Sequence, residues 1–440
     1  MYKQSVYNIK IKNTDDGNEL YYNSFTGAVC LFDKCSQDVL KDVDKDDVSE
    51  YGQDKKERLD QLVENGFVII KDFDEFNWLT IRNRGLRYNI DSDRLRLTIA
   101  PTMRCNYKCY YCYENRAEKC PEMNEDVIQD LIAYVRDKIE NGNLSVLNIS
   151  WYGGEPLLKI DLVKRISKEL INLCEENGVL YHADILTNGY LLNRENAILL
   201  KEECRVDAAQ IPMDGMMETY SKRKGVDSKV FEQVVANIQE VSDIMELHVR
   251  MNIDKENEQE IYHLTKYLLI EKKLKEKIRV YLAAVKNYTN VCNFMGEACF
   301  TSEDFFECHN KFYKYLYELG VENSIMKAIP APRWISCGLS QVNGVIVDPE
   351  GYLYRCAHLI GHKDHIIGHL KTGHFYNDED MKFLDVEYAE KCKKCNLFPI
   401  CMGGCVFERM LNSDEPVCRE TIGRLKNDIA LAYNILEGNQ

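Results

Sequence analysis

Residues 95–112 read LRLTIAPTMRCNYKCYYC. The stretch is an apolar strand, Leu95–Ala100, that runs straight into a loop carrying Cys105, Cys109 and Cys112. The spacing is C-x3-C-x2-C. Three thiolates this close can each hold one iron of a four-iron cluster and leave the fourth iron without a protein ligand, open to a substrate. The bland alternatives are a zinc knuckle or three reduced core thiols. Zinc is usually closed by four ligands, often in paired C-x2-C knuckles, and Tyr113 supplies no fourth.

Working outward, strand-like runs recur at Leu95–Ala100, Val146–Trp151, His182–Thr187, Val206–Met213, Glu246–Ile253 and Ile278–Val285. Helical patterns lie between them. In Asn124–Glu140, for example, Val127, Ile128, Leu131, Ile132, Val135 and Ile139 form one apolar face behind an asparagine cap. Strands alternating with helices predict an α/β fold with a parallel sheet, curved as a partial barrel. In such folds the loops at the carboxyl ends of the strands carry the chemistry. The cysteine loop stands there after the first strand. Gly153, Gly154, Glu155 and Pro156 follow the second, Thr187-Asn188-Gly189 the third, and Met213-Asp214-Gly215 the fourth. The glycines allow close backbone approach, Glu155 offers an acceptor for an ammonium group, and Thr187 and Asn188 suit ribose hydroxyls. Each tripeptide alone reads as a turn. In register at one end of a sheet they read as a site. Arg250 and Asn252, on the fifth strand, are further cofactor contacts or else a buried polar pair supporting the sheet.

Before the first strand, Tyr7–Lys12 and Glu19–Ser24 read as a hairpin across Asp15-Asp16-Gly17, with Gly27–Asp33 continuing the alternation. A helix over about Lys55–Asn65, stopped by Gly66, and a wing-like strand Phe67–Ile70 complete the unit. After the barrel pattern come seven more cysteines in order. Cys337, Gly351 and Cys356 are spaced C-x13-G-x4-C; Cys392, Cys395, Cys401 and Cys405 are spaced C-x2-C-x5-C-x3-C; Cys418 comes last. Zinc is the alternative for this array too. Cys30, Cys35, Cys120, Cys174 and Cys204 read as small buried residues, and His358, His362 and His365 as loop residues. Eighteen cysteines in a chain whose start, Met1–Ser5, lacks a signal-like apolar segment point to thiolate chemistry in the cytoplasm rather than to disulfides. No apolar run reaches the length of a membrane span. A net charge of −15 argues against a nucleic-acid groove.

The cysteine triad, with Tyr111 just before its last member, and the full Gly153–Pro156 motif resemble the radical S-adenosylmethionine (radical SAM) enzymes. The C-terminal cysteines resemble their SPASM extension, and the N-terminal unit resembles the winged leader-recognition element of enzymes that modify ribosomally made peptides. The resemblance implies S-adenosylmethionine and three [4Fe-4S] clusters. Cys105, Cys109 and Cys112 would hold the catalytic one, Cys337, Cys356 and Cys405 the first auxiliary one, and Cys392, Cys395, Cys401 and Cys418 the second. It implies that Gly153, Gly154, Glu155, Pro156, Thr187, Asn188, Asp214, Arg250 and Asn252 surround the cofactor. Pro212 departs from the pattern, where relatives often carry serine. Two fully thiolate-bound cubanes need eight cysteines and the array has seven. The first auxiliary cluster therefore has an open iron or borrows Cys292, Cys299 or Cys308. The expected domains are residues 1–92, a winged peptide-recognition domain; 93–305, the partial barrel; 306–333, a bridging helix; and 334–440, the SPASM domain. The implied activity is a peptide maturase that forms a cysteine thioether after hydrogen abstraction. Its partners would be a precursor peptide, whose leader adds to the N-terminal domain as an edge strand, and an electron donor such as flavodoxin or ferredoxin. Formylglycine formation on a sulfatase, carbon–carbon crosslinking, epimerisation, and a non-catalytic iron–sulfur or zinc protein are the other readings.

Overall fold

Alternation of buried and exposed side chains sets the strands, and capped amphipathic segments set the helices between them. The computed structural model describes residues 1–45, 47–90, 92–114, 120–286, 298–321, 324, 329–413, 415–418 and 422–437. Cys292 lies outside the described residues. Two compact units emerge. One joins Met1–Arg87, Ser302–Cys337 and Val386–Gln440; the other joins Tyr88–Thr301 and Gly338–Asp385. No helix among the described residues is long and apolar enough to cross a membrane.

In the first unit, β1 (Tyr2–Gln4), β2 (Asn8–Asn13), β3 (Glu19–Asn23) and β4 (Val29–Phe32) precede α1 (Lys34–Asp42), α2 (Gln53–Glu64), β5 (Val68–Ile70) and α3 (Glu75–Tyr88). The expected hairpin joins β2 to β3, and β4 continues an antiparallel sheet. The strand expected at Phe67–Ile70 pairs with β1 instead of with that sheet. Helix α1, not expected from the pattern, starts where the Asp33 carboxylate accepts from the Ser36 amide at 2.8 Å. One face of the sheet, through Ile9, Ile11, Leu20 and Tyr22, packs on Leu397, Ile400, Leu425 and Ile429. Phe32 packs instead on Val39, Leu40, Leu59, Leu62 and Phe67. Burying an aliphatic side chain of this kind is worth ~1.5–3 kcal/mol. The N-terminal sheet is thus built together with the segment that bears the last cysteines.

The second unit holds β6 (Arg94–Ile99), α4 (Glu125–Glu140), β7 (Val146–Trp151), α5 (Ile160–Glu176), β8 (Leu180–Leu186), α6 (Arg194–Glu202), β9 (Val206–Pro212), α7 (Met217–Lys224), α8 (Ser228–Val241), β10 (Glu246–Ile253), α9 (Glu258–Lys266) and β11 (Ile278–Ala284). The six strands are parallel, in the order β11-β10-β9-β8-β7-β6, as expected. The sheet does not stop at β6. There β12 (Gly344–Val347) adds in parallel, with Val345 opposite Leu97 and Val347 opposite Ile99. Antiparallel β13 (Tyr352–Tyr354), β14 (Gly368–His369) and β15 (Gly373–His374) extend it further. Residues 338–385, expected within a separate C-terminal domain, therefore belong to the barrel-type sheet.

The strands divide their faces by the two-residue period. On β8, Tyr181, Ala183 and Ile185 are buried while His182 and Asp184 are open. In register with them on the same face stand Asn148, Ser150, Gln210, His248, Arg250 and Tyr281. A closed barrel core would be filled by branched apolar residues. This face is polar.

Candidate active site

The turn after β6 is fixed by the turn after β7. Gly153 has a φ of +107°, and a Cβ there would lie 2.3 Å from the Thr102 carbonyl oxygen. A Cβ on Gly154 would lie 2.4 Å from the Arg104 oxygen and 2.6 Å from that of Met103. Only glycine lets the two backbones meet. Gly154 N donates to Thr102 O at 3.1 Å and Glu155 N to Arg104 O at 2.9 Å, on the residues leading into Cys105. Pro156 opens a short 3-10 turn, Pro156–Lys159.

Glu155 has no exposed surface. Its Oε1 accepts from Leu157 N at 3.0 Å and Thr187 Oγ1 at 2.8 Å, and Oε2 accepts from Asn188 N at 2.7 Å. Burial pushes its carboxyl up to about 7 against these donors. Asn188 in turn donates from Nδ2 to Asn106 Oδ1 at 2.7 Å and stands 4.0 Å from Cys105 Sγ. One buried carboxylate therefore ties the second and third strand-end turns together, and Asn188 carries the tie to the cysteine loop.

Within that loop Cys105 Sγ accepts from Tyr107 N at 3.4 Å, and Cys112 N donates to Cys109 O at 3.3 Å. Cys105 is exposed, and Cys109 and Cys112 are half-buried. Glu155 and Cys109 both lie within electrostatic reach of Cys105. Among the described residues no three or more His, Cys, Asp or Glu side chains gather tightly around a point for a single ion. The donor chemistry, three soft thiolates on one loop beside an amide, fits an iron–sulfur cluster held at separate corners.

Asp214, at the end of β9, faces the same loop. It is wholly buried, accepting from Tyr111 Oη and from Asn252 Nδ2, the latter at 3.1 Å. Arg250 Nε donates to Asn252 Oδ1 at 2.9 Å. Pro212 sits opposite Arg250 in the sheet register. Lys224 and Arg223 complete this cluster and were not expected in it, because Lys222-Arg223-Lys224 reads as a solvated helix end. On the other side of the loop, Tyr113 Oη and Tyr152 Oη are 2.7 Å apart, and the His358 ring lies 4.0 Å from that of Tyr113. The segment after Cys356 thus reaches the end of the cysteine loop.

Of the C-terminal cysteines, Cys356 lies in the second unit, and Cys337, Cys392, Cys395, Cys401, Cys405 and Cys418 lie in the first. Cys392 feels the charges of Cys395 and Cys418. Cys392 and Cys395 also pack beside Tyr7, Phe398 and Met402. Cys401 ends the short helix Phe398–Cys401, and a Cβ on Gly404 would lie 3.1 Å from the Val417 oxygen, next to Cys418. Cys299 is half-buried and Cys308 buried; of the cysteines expected to be small core residues, Cys174 and Cys204 are buried while Cys30, Cys35 and Cys120 are half-buried.

Residues 99–268 match the family model described as the Radical SAM superfamily. A putative glycyl-radical enzyme activating enzyme of Methanocaldococcus jannaschii is 35% identical over 135 residues, 29% of this chain and 34% of that protein. The match thus spans about a third of that relative's length. A probable GTP 3',8-cyclase of Saccharolobus islandicus is 24% identical over 319 residues, 70% of this chain and 92% of that protein. Among solved structures, native anSMEcpe with bound AdoMet and Cp18Cys peptide superposes with a TM-score of 0.55 at 18% identity, over 78% of this chain and 98% of that chain. SuiB of Streptococcus suis bound to precursor peptide SuiA superposes at 0.53 and 15% identity, over 96% of this chain and 99% of that one. At such identities the likeness is one of fold. A radical SAM domain implies S-adenosylmethionine and a [4Fe-4S] cluster, and the loop of Cys105, Cys109 and Cys112 has the donors for it. The family match and the geometry around that loop agree: this chain carries a domain of the radical SAM superfamily.

Proposed function

We propose that this chain modifies a ribosomally made peptide, joining a cysteine sulfur of that peptide to a carbon from which hydrogen has been removed. The observation that carries the reading is the first unit. A radical SAM domain needs no three-stranded antiparallel sheet at its N-terminus, yet this chain builds one against the segment of its last cysteines. The fold likeness to SuiB, crystallised with its precursor peptide, extends over 96% of this chain. Strand β4 is an edge strand, with Val29 and Leu31 exposed. Such an edge suits an extended leader peptide added as a further strand.

When bound, the cluster and S-adenosylmethionine supply a carbon radical able to take hydrogen from an unactivated C–H bond. The chain's own residues orient and enclose. The Glu155 carboxyl fixes the Thr187–Asn188 turn, beside which the nucleoside would lie. The polar sheet face of Ser150, Asp184, Gln210 and Arg250 would meet the peptide side chain that is to react. Cys392, Cys395, Cys401 and Cys418, all in the first unit, would hold an auxiliary cluster, and such a cluster would supply a one-electron acceptor. An external donor, such as flavodoxin or ferredoxin, would supply the electron.

Formylglycine formation on a peptide is the second reading, and the likeness in fold to anSMEcpe with bound AdoMet and Cp18Cys peptide supports a peptide substrate for either. Anaerobic co-expression with a cysteine-bearing precursor peptide, read by mass spectrometry, separates the two. A thioether product loses one hydrogen pair, resists thiol alkylation and does not react with hydrazide. A hydrazide-reactive product establishes the second reading, and an unmodified peptide contradicts both.

A further inference from the structure

Helix α7 ends against the cysteine loop, and its last two side chains turn inward. The helix leaves terminal carbonyls without helical donors. Two of them are taken by the loop: Lys108 N donates to Lys224 O at 3.0 Å and Tyr110 N to Arg223 O at 3.3 Å. Lys108 lies between Cys105 and Cys109, and Tyr110 between Cys109 and Cys112. Gly225 then turns the chain at a φ of +63°, where a Cβ would lie 2.9 Å from Lys108 O. A third link joins Tyr220 Oη on the helix to Tyr107 Oη in the loop, at 3.0 Å.

The side chains form a linked set of charges. Lys224 Nζ donates to Tyr111 Oη and lies 2.9 Å from Asp214 Oδ2. Tyr111 donates to that same carboxylate. Arg223 meets Asp254 through its two terminal guanidinium nitrogens, at 3.2 and 2.7 Å, and its guanidinium carbon stands 5.3 Å from the Tyr110 ring centroid and 5.5 Å from that of Tyr111. Asn257 Nδ2 holds the backbone in place, donating to Asp214 O at 2.7 Å and Asn252 O at 2.9 Å. Asp214 and Asp254 are 0% exposed, Lys224 1% and Arg223 3%. Two cations and two carboxylates so deeply placed are a costly way to obtain stability, since apolar residues of similar volume stabilise as well. What they provide is a fixed geometry and a balanced charge beside the loop.

We infer that Lys224, Arg223, Asp214 and Asp254 are the positioning frame of the cysteine loop, and that their charge balance sets the reduction potential of the cluster the loop holds. On this view Asp214 and Asn252 act on the cluster through Tyr111 rather than by touching S-adenosylmethionine. The inference rests on the radical SAM cluster assigned above and is independent of which peptide bond is made.

The test uses the full chain, reconstituted without oxygen, and follows the electron paramagnetic resonance signal that changes when S-adenosylmethionine is added. That change in the unaltered protein confirms the cluster itself, separately from the frame. Lys224→Met leaves a net negative charge and should move the midpoint to more negative potential. Asp214→Asn leaves a net positive charge and should move it the opposite way; Lys224→Arg should stay near the parent. Shifts of the same sign in Lys224→Met and Asp214→Asn, or no shift in either, overturn the inference. For any variant that loses its iron, hydrogen exchange over residues 105–112 of the cluster-free chain reads the frame directly. Exchange should rise about tenfold or more in Asp214→Asn and stay slow in Lys224→Arg, reflecting local opening. Unchanged exchange in Asp214→Asn overturns the positioning role.

Discussion

Glu155 carries a testable electrostatic signature. Its carboxyl, ordinarily near 4.5, is held at about 7, chiefly by burial, while the amides of Asn188 and Leu157 and the Thr187 hydroxyl pull the other way. A carboxyl raised in the folded state favours folding fully below its unfolded value and loses that contribution as pH climbs through about 7. The thermal midpoint of the cluster-free chain should therefore fall over that range, and Glu155→Gln should flatten the fall. An unchanged slope in the variant would assign it to other groups. At this scale the sequence was legible where a motif has one meaning. The Gly153–Pro156 motif placed Glu155 beside the cysteine loop, and the structure shows how, through Thr187 and Asn188. Lys224 was illegible because three basic residues at a helix end look solvated, and only the fold reveals that two of them are buried.

Elements were legible as far as their periodicity ran. The six strands β6 to β11 fall within a residue or two of the runs read from alternation, and Asn124 caps α4 by accepting from Val127 N at 3.0 Å. Helix α1 escaped because it buries only Ser36, Val39 and Leu40. Strand β12 escaped because Gly344–Val347 is buried on both faces and shows no alternation. The contact between the turns after β6 and β7 gives the sharpest prediction here. Gly154→Ala drives a methyl group into two backbone oxygens, which cannot swing away as a side chain would. It should cost ~1–3 kcal/mol or more in urea unfolding and lower the iron retained. Gly85→Ala, in α3 with nothing within 4 Å of the added carbon, serves as the contrast. That substitution should be neutral or stabilising by ~0.5–1 kcal/mol. Equal effects of the two alanines would remove the steric argument.

At the scale of the whole chain, the resemblance carried by the cysteine triad and the Gly153–Pro156 motif foretold a radical SAM domain with appended segments, but not how those segments divide. A linear reading cuts the sequence into consecutive domains. The fold instead inserts Gly338–Asp385 into the barrel-type sheet and packs the N-terminal sheet on the segment that follows. Such non-local pairing leaves no trace in local pattern, because each strand reads the same whichever partner it finds. Everything downstream depends on the loop of Cys105, Cys109 and Cys112 capturing S-adenosylmethionine at an open iron. The most direct measurement is reductive cleavage of that cofactor by anaerobically reconstituted chain, beside Cys105→Ala. The parent should carry about twelve irons, as three cubanes require, and release 5′-deoxyadenosine and methionine under reductant. Cys105→Ala should lose about four of those irons and all of the cleavage. Cleavage that survives in Cys105→Ala would contradict the assignment of this loop as the active centre.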